Sequence, residues 1–169
     1  MTKYFPVTES DFENALDEMN TEWQFPFAFS ALDGTHLPIK CPDGGQLAMK
    51  SYYNFKGFYS VIAMALVDAK GRFIWASVGR PGNTHDSLNF RSSHLFNRIC
   101  QGEVIPRKVQ RIDRVEIPPV ILADGAFPFR TWIMKPYGHP VLTEEERYFS
   151  YRLSRARIVS EIAFGMLKS

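Results

Sequence analysis

The sequence predicts an α/β domain in which helices cover both faces of a mixed β-sheet. The run at residues 59–68 is almost continuously apolar, as in a strand that is buried on both faces. Apolar residues recur at helical spacing in residues 144–168. Strand-like and helix-like segments follow in the order strand, strand, strand, helix, strand, long helix, which is typical of a layered α/β domain. With 169 residues and 45% apolar content, the chain is long enough for one core and too short for two.

The first predicted element is a short acidic helix from Thr8 to about Glu22. Thr8 can cap its N-terminus, and Asp11 three residues later can complete a capping box. Pro26 ends the helical pattern. The buried face of this helix would be formed by Phe12, Leu16 and Met19.

Extended segments are expected next. The apolar run at residues 27–32 predicts a strand that stops in a tight turn at Asp33-Gly34, a favoured turn dipeptide. The chain is expected to become extended again at residues 36–40. Residues 59–78 predict a β-hairpin whose first strand is the buried apolar run.

The second half of the chain alternates helix and strand. Residues 86–100 predict a single helix, because apolar side chains recur along one side of it. Residues 120–123 predict a short buried strand that runs into Asp124. The last helix is expected to begin after Thr143, with acids in its first turn, and to reach Lys168. This order of elements matches the ribonuclease H-like architecture.

The net charge of +2 is unevenly distributed. Residues 1–22 carry six acidic side chains and one basic one, a net charge of −5, whereas residues 23–169 have a net charge of +7. We therefore expect an acidic lead-in at residues 1–22 and a basic domain at residues 23–169. Two basic clusters, at residues 107–114 and 147–157, permit a polyanionic partner.

The composition also argues against several functional classes. The longest apolar run, residues 61–67, is far shorter than the roughly 18–20 residues of a membrane-spanning helix. No secretory signal is expected, because no apolar stretch near the N-terminus ends in small residues. Cys41 and Cys100 form no spaced framework, so a reducing intracellular compartment is the default. The four histidines show neither a zinc-protease spacing nor a cysteine partner, which argues against zinc.

Asp33 and Asp124 have equivalent surroundings in the sequence. Each follows an apolar strand and precedes a glycine. Side chains just beyond strand ends leave the core while their backbone stays fixed, so chemistry concentrates there in α/β sheets. If the two strands are neighbours, the carboxylates converge, and a divalent cation would relieve their repulsion. Each aspartate taken alone is equally consistent with a turn that ends a strand.

Glu161 is the third acidic residue of interest. It lies in the last helix beside the apolar stripe, and it would point towards the strand ends if that helix packs on the sheet. The alternative is a solvated glutamate. Three carboxylates select hard cations such as Mg²⁺ or Mn²⁺. Two such ions about 4 Å apart can support in-line attack on a phosphodiester.

Five motifs follow one another along the chain. They are residues 31–36 (ALDGTH), 51–58 (SYYNFKGF), 81–87 (PGNTHDS), 123–128 (ADGAFP) and the run at 153–168. Together they resemble the nuclease domain of Harbinger-type (PIF/Harbinger) transposases and their domesticated relatives, over roughly residues 23–168. The resemblance implies a DDE endonuclease domain on a ribonuclease H-like fold. It also implies that the catalytic and metal-binding acids are Asp33, Asp124 and Glu161, with Mg²⁺ or Mn²⁺ as the cofactor.

The resemblance further implies that the protein acts on DNA. The family hydrolyses a phosphodiester at an element end and lets the new 3′ hydroxyl attack target DNA. We expect Arg157, one turn before Glu161, to contact a phosphate, and its alternative is a surface salt bridge. Arg155 and Lys168 are expected as further DNA contacts. The motif neighbours of the acids are His36, His85 and Asp86.

The same resemblance suggests partners and a location. The expected partners are DNA and a separate Myb-like DNA-binding protein, with a homodimer as an option, no membrane, and the nucleus rather than the cytoplasm as location. Ser150 and Ile162 stand where the family usually has asparagines, and we expect an endonuclease domain that is short at its C-terminus, Ser169. These departures favour an alternative function, a domesticated chromatin- or partner-binding module that does not cleave. A transposon fragment without selected activity is a third reading.

Overall fold

The computed structural model describes residues 2–106, 110–112 and 114–169. The helices and strands are α1 (Glu9–Trp23), β1 (Ala28–Pro38), α2 (Gly45–Tyr52), β2 (Ser60–Val67), β3 (Phe73–Pro81), α3 (Asp86–Arg91), α4 (His94–Cys100), β4 (Gln110–Ile112), β5 (Val115–Ile117), β6 (Val120–Leu122), β7 (Ile133–Met134) and α5 (Glu144–Lys168). Arg107 and Lys108 of the first basic cluster lie outside the described residues.

Five strands form the mixed sheet, in the order β3-β2-β1-β6-β7. β1, β2 and β3 are antiparallel neighbours, whereas β1, β6 and β7 run parallel. β4 and β5 form a separate two-stranded sheet. The predicted mixed sheet and the hairpin at residues 59–78 are confirmed, although β3 continues to Pro81.

Two hydrophobic clusters lie on opposite faces of the sheet. The cluster beneath α5 joins Ala31 and Leu122 of the sheet to Leu153, Ala156, Val159 and Ala163 of α5. The other cluster joins Leu32 and Ile121 to Phe12 and Leu16 of α1, Phe90 of α3 and Leu95 of α4. Successive residues of a strand point to opposite faces, which accounts for the assignment of Ala31 and Leu32 to different clusters. The predicted α/β fold with helices on both faces is confirmed. In the parts of the chain that the structure describes, no helix combines the length and the apolar character needed to cross a bilayer.

The first and last helices begin where the sequence predicts, because each has a complete capping box. The Thr8 hydroxyl accepts from the Asp11 amide at 3.2 Å, and the Asp11 carboxylate accepts from the Thr8 amide at 2.9 Å. Thr143 and Glu146 exchange the same two bonds, also at 3.2 and 2.9 Å. A cap of this kind stabilises a helix by about 1 kcal/mol and fixes its first residue.

The predicted turn at Asp33-Gly34 is wrong. β1 passes through both residues without a break and ends at Pro38. Eight cross-strand pairs join β1 to β2, from Ala31 opposite Val67 to Pro38 opposite Ser60. The turn preference of the dipeptide is a local effect, and this long antiparallel ladder overrides it.

The single helix predicted at residues 86–100 is also wrong, because the segment forms α3 and α4. The Ser93 hydroxyl accepts from the Phe96 amide at 3.1 Å, so Ser93 caps a new helix instead of continuing the first. The sequence reading also misses α2 and the short strands β4, β5 and β7. These strands are two or three residues long, too short to show a periodic pattern.

Candidate active site

Asp33 and Asp124 lie beside each other on the face of the sheet that α5 covers. Ala31 of β1 pairs with Leu122 of β6, so two residues further along both strands the register places Asp33 next to Asp124. Residues two apart on a strand share a face, and Ala31 and Leu122 pack beneath α5. Burial is the main cause of a raised pKa of Asp33, and the charge of Asp124 adds to it, as expected for two neighbouring carboxylates.

The carboxylate of Asp33 is held by three groups. It accepts hydrogen bonds from the Gly34 amide at 2.9 Å and from the Ser160 hydroxyl at 3.2 Å. The guanidinium of Arg157 lies 3.6 Å away, as an ion pair without a hydrogen bond. Burial nevertheless raises the pKa of Asp33 above its usual range, because desolvation outweighs the lowering effects of Arg157, Gly34 and Ser160. The surrounding groups therefore do not fully stabilise the ionised form of Asp33.

Asp124 lies in a turn just beyond the end of β6. Its carboxylate accepts from the Ala126 amide at 2.8 Å. The ammonium group of Lys135 donates to the carbonyl oxygens of Gly125 and Phe127, at 3.2 and 3.0 Å. Both hypotheses about Asp124 hold, because it forms a turn at the end of β6 and also lies beside Asp33.

Asp86 completes a group of three acids. It is the first residue of α3, and its carboxylate rests on Gly34, where a built Cβ atom would lie only 2.9 Å from Asp86 Oδ1. Burial raises the pKa of Asp86, and the charges of Asp124 and Asp33 raise it further. We call Asp33, Asp86 and Asp124 the acid group. Asp86 approaches from the face opposite α5, because Gly34 and Asp33 point to opposite sides of β1.

Glu161 lies on the adjoining helix but not within the acid group. Its side chain is exposed, and it makes no hydrogen bond or ion pair with any residue that the structure describes. It directly follows Ser160, and it lies about 40° around the helix from Arg157, one turn further on. α5 therefore brings Ser160 and Arg157 to Asp33, whereas the Glu161 side chain stays exposed to solvent.

The oxygen ligands of the acid group are of the type that hard cations prefer, but their side chains are not arranged around a common metal position. Carboxylate oxygens are the ligands that Mg²⁺ and Mn²⁺ prefer, and the raised pKa values of Asp33 and Asp86 indicate a site that added positive charge would stabilise. Within residues 2–106, 110–112 and 114–169, however, no three His, Cys, Asp or Glu side chains are arranged to hold a metal ion.

The three predicted DNA-contacting residues have different surroundings. Arg157 is only 12% exposed and pairs with Asp33, so its ion pair is not the surface salt bridge of the alternative reading. Arg155 is exposed and donates to the side-chain carbonyl of Gln24 at 3.3 Å. Lys168 is exposed at the end of α5, and its charge helps to lower the pKa of His36.

A cleft of about 420 Å³ opens beside the acid group, and we call it the His36 cleft. His36 Nδ1 lies 3.0 Å from the Ser60 hydroxyl. Burial lowers the pKa of His36, and the nearby charges of Lys56 and Lys168 lower it further, so the ring is neutral at pH 7. His85 is exposed at the rim of the cleft, and its charge lowers the pKa of Asp86.

The sequence reading missed Ser160 and underestimated Asp86. Ser160 is fully buried in the α5 stripe, where Val159 and Ala163 indicate an apolar position. A polar residue inside an apolar stripe is the signal that could have identified it, because buried hydroxyls need a partner. The contact of Asp86 with Gly34 joins positions far apart in sequence, and no local pattern reports it.

Comparison with known proteins identifies the family. The DDE superfamily endonuclease model matches residues 32–169. Protein ALP1-like of Arabidopsis thaliana is 25% identical over 158 residues, which cover 90% of this chain and 39% of that protein. The protein named "Putative nuclease HARBI1" is 28% identical in Xenopus laevis and 26% identical in Homo sapiens, in both cases over 144 residues that cover 85% of this chain and 37% of the relative. No solved structure matches the chain.

The chain spans less than two fifths of the length of these curated relatives. The similarity nevertheless extends over most of the chain and confirms the resemblance that the five motifs indicated. The matched segment contains Asp33, Asp124 and Glu161. The chain therefore belongs to the DDE superfamily endonuclease family.

Proposed function

We propose that this protein is a divalent-metal-dependent endonuclease that hydrolyses DNA phosphodiester bonds. The observation that carries the proposal is the parallel register of β1 and β6, which brings Asp124, just beyond the end of β6, next to Asp33 on β1. Two half-buried carboxylates at such a position repel each other, and the fold holds them together despite that repulsion. Membership of an endonuclease family supplies the reaction class.

The proposed cofactor is Mg²⁺ or Mn²⁺. Asp33 and Asp124 would hold it from the sheet, and Glu161 would complete the ligand set from α5. Asp86 adds negative charge from the opposite side of β1. Bound ions of this kind activate the attacking water and stabilise the leaving oxygen in phosphodiester hydrolysis.

Glu161 would have to change its side-chain conformation to take this role. Side chains on a helix lean towards its N-terminus, so the carboxylate of Glu161 leans over the turn that carries Arg157. Arg157 in turn lies 3.6 Å from Asp33. We infer that a cation and Arg157 compete for Asp33, and that Arg157, once displaced, donates to a phosphate oxygen of the DNA.

DNA is the proposed substrate because the domain is basic around an acidic centre. Residues 23–169 carry a net charge of +7, and the charges of Lys56 and Lys168 both act on His36 beside the acid group. Arg155 contacts Gln24 near the C-terminal end of α1, so its proposed DNA contact lies further from the acids. By family resemblance we extend the proposal to strand transfer, to a nuclear location and to a Myb-like DNA-binding partner.

A second candidate function is a DNA- or partner-binding module that does not cleave. One observation favours it specifically: the Glu161 side chain is exposed, and among the described residues no three acids are arranged to hold a metal ion. A scaffold that keeps its basic surface but does not assemble the third ligand would bind DNA without cutting it. Salt-sensitive DNA binding would then occur without any metal-dependent reaction.

Nicking of supercoiled plasmid tests the two functions against each other. With Mg²⁺ or Mn²⁺ we expect open-circular product, and with EDTA none. Asp33→Asn, Asp124→Asn and Glu161→Gln should each reduce the nicking rate by about 100- to 1,000-fold, the usual loss when a group that supports transition-state charge is removed. Asp17→Asn is the matched control, because Asp17 is an exposed acid on α1, away from the acid group.

Metal binding is measured separately by thermal melting. We expect Mn²⁺ to raise the melting temperature of the wild-type protein and to have little effect on Asp33→Asn. Nicking that persists at full rate in Asp33→Asn or Asp124→Asn would contradict the assigned roles. DNA binding without nicking, at any concentration of either metal, would support the second function instead.

A further inference from the structure

Phe55 is 85% exposed, the highest value among the large apolar side chains that the structure describes. Burying a phenylalanine side chain typically stabilises a protein by about 1.5–3 kcal/mol. The exposed Phe55 side chain does not contribute this stabilisation. The ring makes an edge-type contact with His36, with 5.5 Å between the ring centroids. The ammonium group of Lys56 lies over the ring, 5.6 Å from its centroid, so a base that stacks on Phe55 takes the other face or displaces Lys56.

The loop that carries Phe55 is held in place by Asn54. Asn54 is buried, and its side-chain carbonyl accepts from the amides of Lys56 at 2.9 Å and Phe58 at 3.5 Å. The Asn54 amide also donates to the Phe58 carbonyl at 3.0 Å. The exposure of Phe55 is therefore a fixed feature of the fold and not the result of a loose loop.

The same network fixes the other walls of the His36 cleft. The side-chain amide of Asn54 donates to the buried Ser60 hydroxyl at 2.7 Å, and that hydroxyl lies 3.0 Å from His36 Nδ1. Gly82 packs so closely that a Cβ atom there would lie 2.2 Å from Ser60 Oγ. Three separate segments thus meet at Ser60: the Phe55 loop, β1 with His36, and the chain that leads from Gly82 into α3.

The cleft between these walls has the size and chemistry of a ligand site. Its volume of about 420 Å³ lies within the range of about 300–1,000 Å³ for small-molecule sites. Asn83 and Thr84 line it with polar side chains, and the His36 bond to Ser60 through Nδ1 leaves Nε2 for a ligand. Asp86 forms part of its wall, so the cleft adjoins the acid group directly.

We propose that the His36 cleft binds an unstacked nucleotide of the DNA substrate, with the base stacked on Phe55 and its phosphate near Lys56. A fixed, exposed aromatic ring beside a cation is an arrangement by which proteins bind unpaired nucleotides. The inference rests on the proposed nuclease function and adds a preference for DNA that is unpaired or easily unstacked beside the cleaved bond. Stacking of this kind needs no metal ion.

The test compares two fluorescein-labelled duplexes of identical sequence, except that one carries a single mismatched pair. Fluorescence anisotropy in EDTA gives their affinities without any cleavage. We expect the wild-type protein to bind the mismatched duplex more tightly. Phe55→Ala should weaken that binding by about 5- to 150-fold and leave the paired duplex nearly unaffected, whereas Phe55→Trp should retain the preference.

Phe129→Ala is the matched control, because Phe129 is 75% exposed and lines a different groove. It should leave both affinities unchanged, and melting curves should show that all variants fold, since both rings are largely exposed. Equal wild-type affinity for the two duplexes, or a preference that survives Phe55→Ala, would overturn the proposal.

The binding and nicking experiments can reject the cleft proposal and the nuclease proposal separately. A mismatch preference that depends on Phe55, together with no nicking under any condition, would reject the nuclease and support the cleft. Metal-dependent nicking without any effect of Phe55 on the preference would reject the cleft and support the nuclease.

Discussion

The carboxylate of Asp86 lies directly against the backbone of Gly34. A Cβ atom at Gly34 would lie 2.9 Å from Oδ1 and 3.0 Å from Cγ of Asp86. Cβ contacts this short are essentially never tolerated, so a residue with a side chain at this position would displace Asp86. The missing side chain at Gly34 thus determines how near Asp86 comes to Asp33.

Gly34→Ala tests whether this approach matters for the reaction. Gly34 has an ordinary extended backbone in β1, so alanine is tolerated by the strand, and the methyl group should force the Asp86 carboxylate to rotate away. We expect nicking to fall by about 10- to 100-fold with a small change in melting temperature. Gly138→Ala is the control, because a Cβ atom there meets nothing within 4 Å. An unchanged nicking rate in Gly34→Ala would show that the position of Asp86 is irrelevant.

Asp86→Asn should stabilise the metal-free protein at neutral pH. Burial raises the pKa of Asp86 in the folded state, whereas an unfolded aspartate titrates near its ordinary value of about 3.9. The folded state then binds more protons than the unfolded state between the two pKa values, so this group makes the wild-type protein less stable as the pH rises through that window. We expect Asp86→Asn to melt at a higher temperature than the wild type at pH 7 in EDTA, and the difference to vanish below about pH 4. A stability difference independent of pH would contradict this origin.

Ser160→Ala should destabilise the protein by removing a buried hydrogen bond. The Ser160 hydroxyl donates either to Asp33 Oδ2 at 3.2 Å or to the Arg157 carbonyl at 2.8 Å. Loss of a hydrogen bond to a charged group typically costs about 1.5–3 kcal/mol, and the sharing between two acceptors places our expectation near about 1 kcal/mol. Urea unfolding at pH 7 measures it, with the exposed Ser154→Ala on the same helix as the control. An equal effect in both variants would show that Asp33 is not involved.

The sequence predicted those parts of the fold that local chemistry determines. Thr8 and Thr143 with their acidic partners mark helix starts, since a capping box is complete within four residues. The apolar run at residues 59–68 indicated a buried strand, because its burial requires no knowledge of its neighbours. The sequence predicts that Asp33 and Asp124 converge only if β1 and β6 are neighbouring strands, and the structure shows that they are.

The errors arose where distant residues decide the local structure. Asp33-Gly34 has the composition of a turn, but its pairing with β2 keeps it extended. Ser92 and Ser93 interrupt an otherwise regular helical pattern, since a serine can cap a new helix as readily as it continues an old one. Within the site, Asp86 lies against Gly34 across 52 residues of sequence and Ser160 bonds to Asp33 across 127, and neither contact leaves a local signature.

Replacing Arg157 tests whether the Asp33 carboxylate needs a nearby positive charge, because the charge can be removed while the packing of the side chain is kept. Arg157→Met keeps the aliphatic stem and leaves the half-buried Asp33 carboxylate without its cation, which lies 3.6 Å away. Breaking a buried pair from one side costs about 3–5 kcal/mol, and because these side chains are 12% and 19% exposed we expect a loss of about 2 kcal/mol at pH 7. The loss should shrink as the pH falls and Asp33 becomes protonated.

In the double variant with Asp33→Asn most of the stability should return, so the double-mutant cycle in urea should give a coupling free energy of about 1–2 kcal/mol. Addition of Mn²⁺ should rescue Arg157→Met but not the double variant, because a cation can replace the guanidinium only where the carboxylate remains. Additive effects in the cycle would show that the pair contributes nothing, and that Asp33 does not need positive charge.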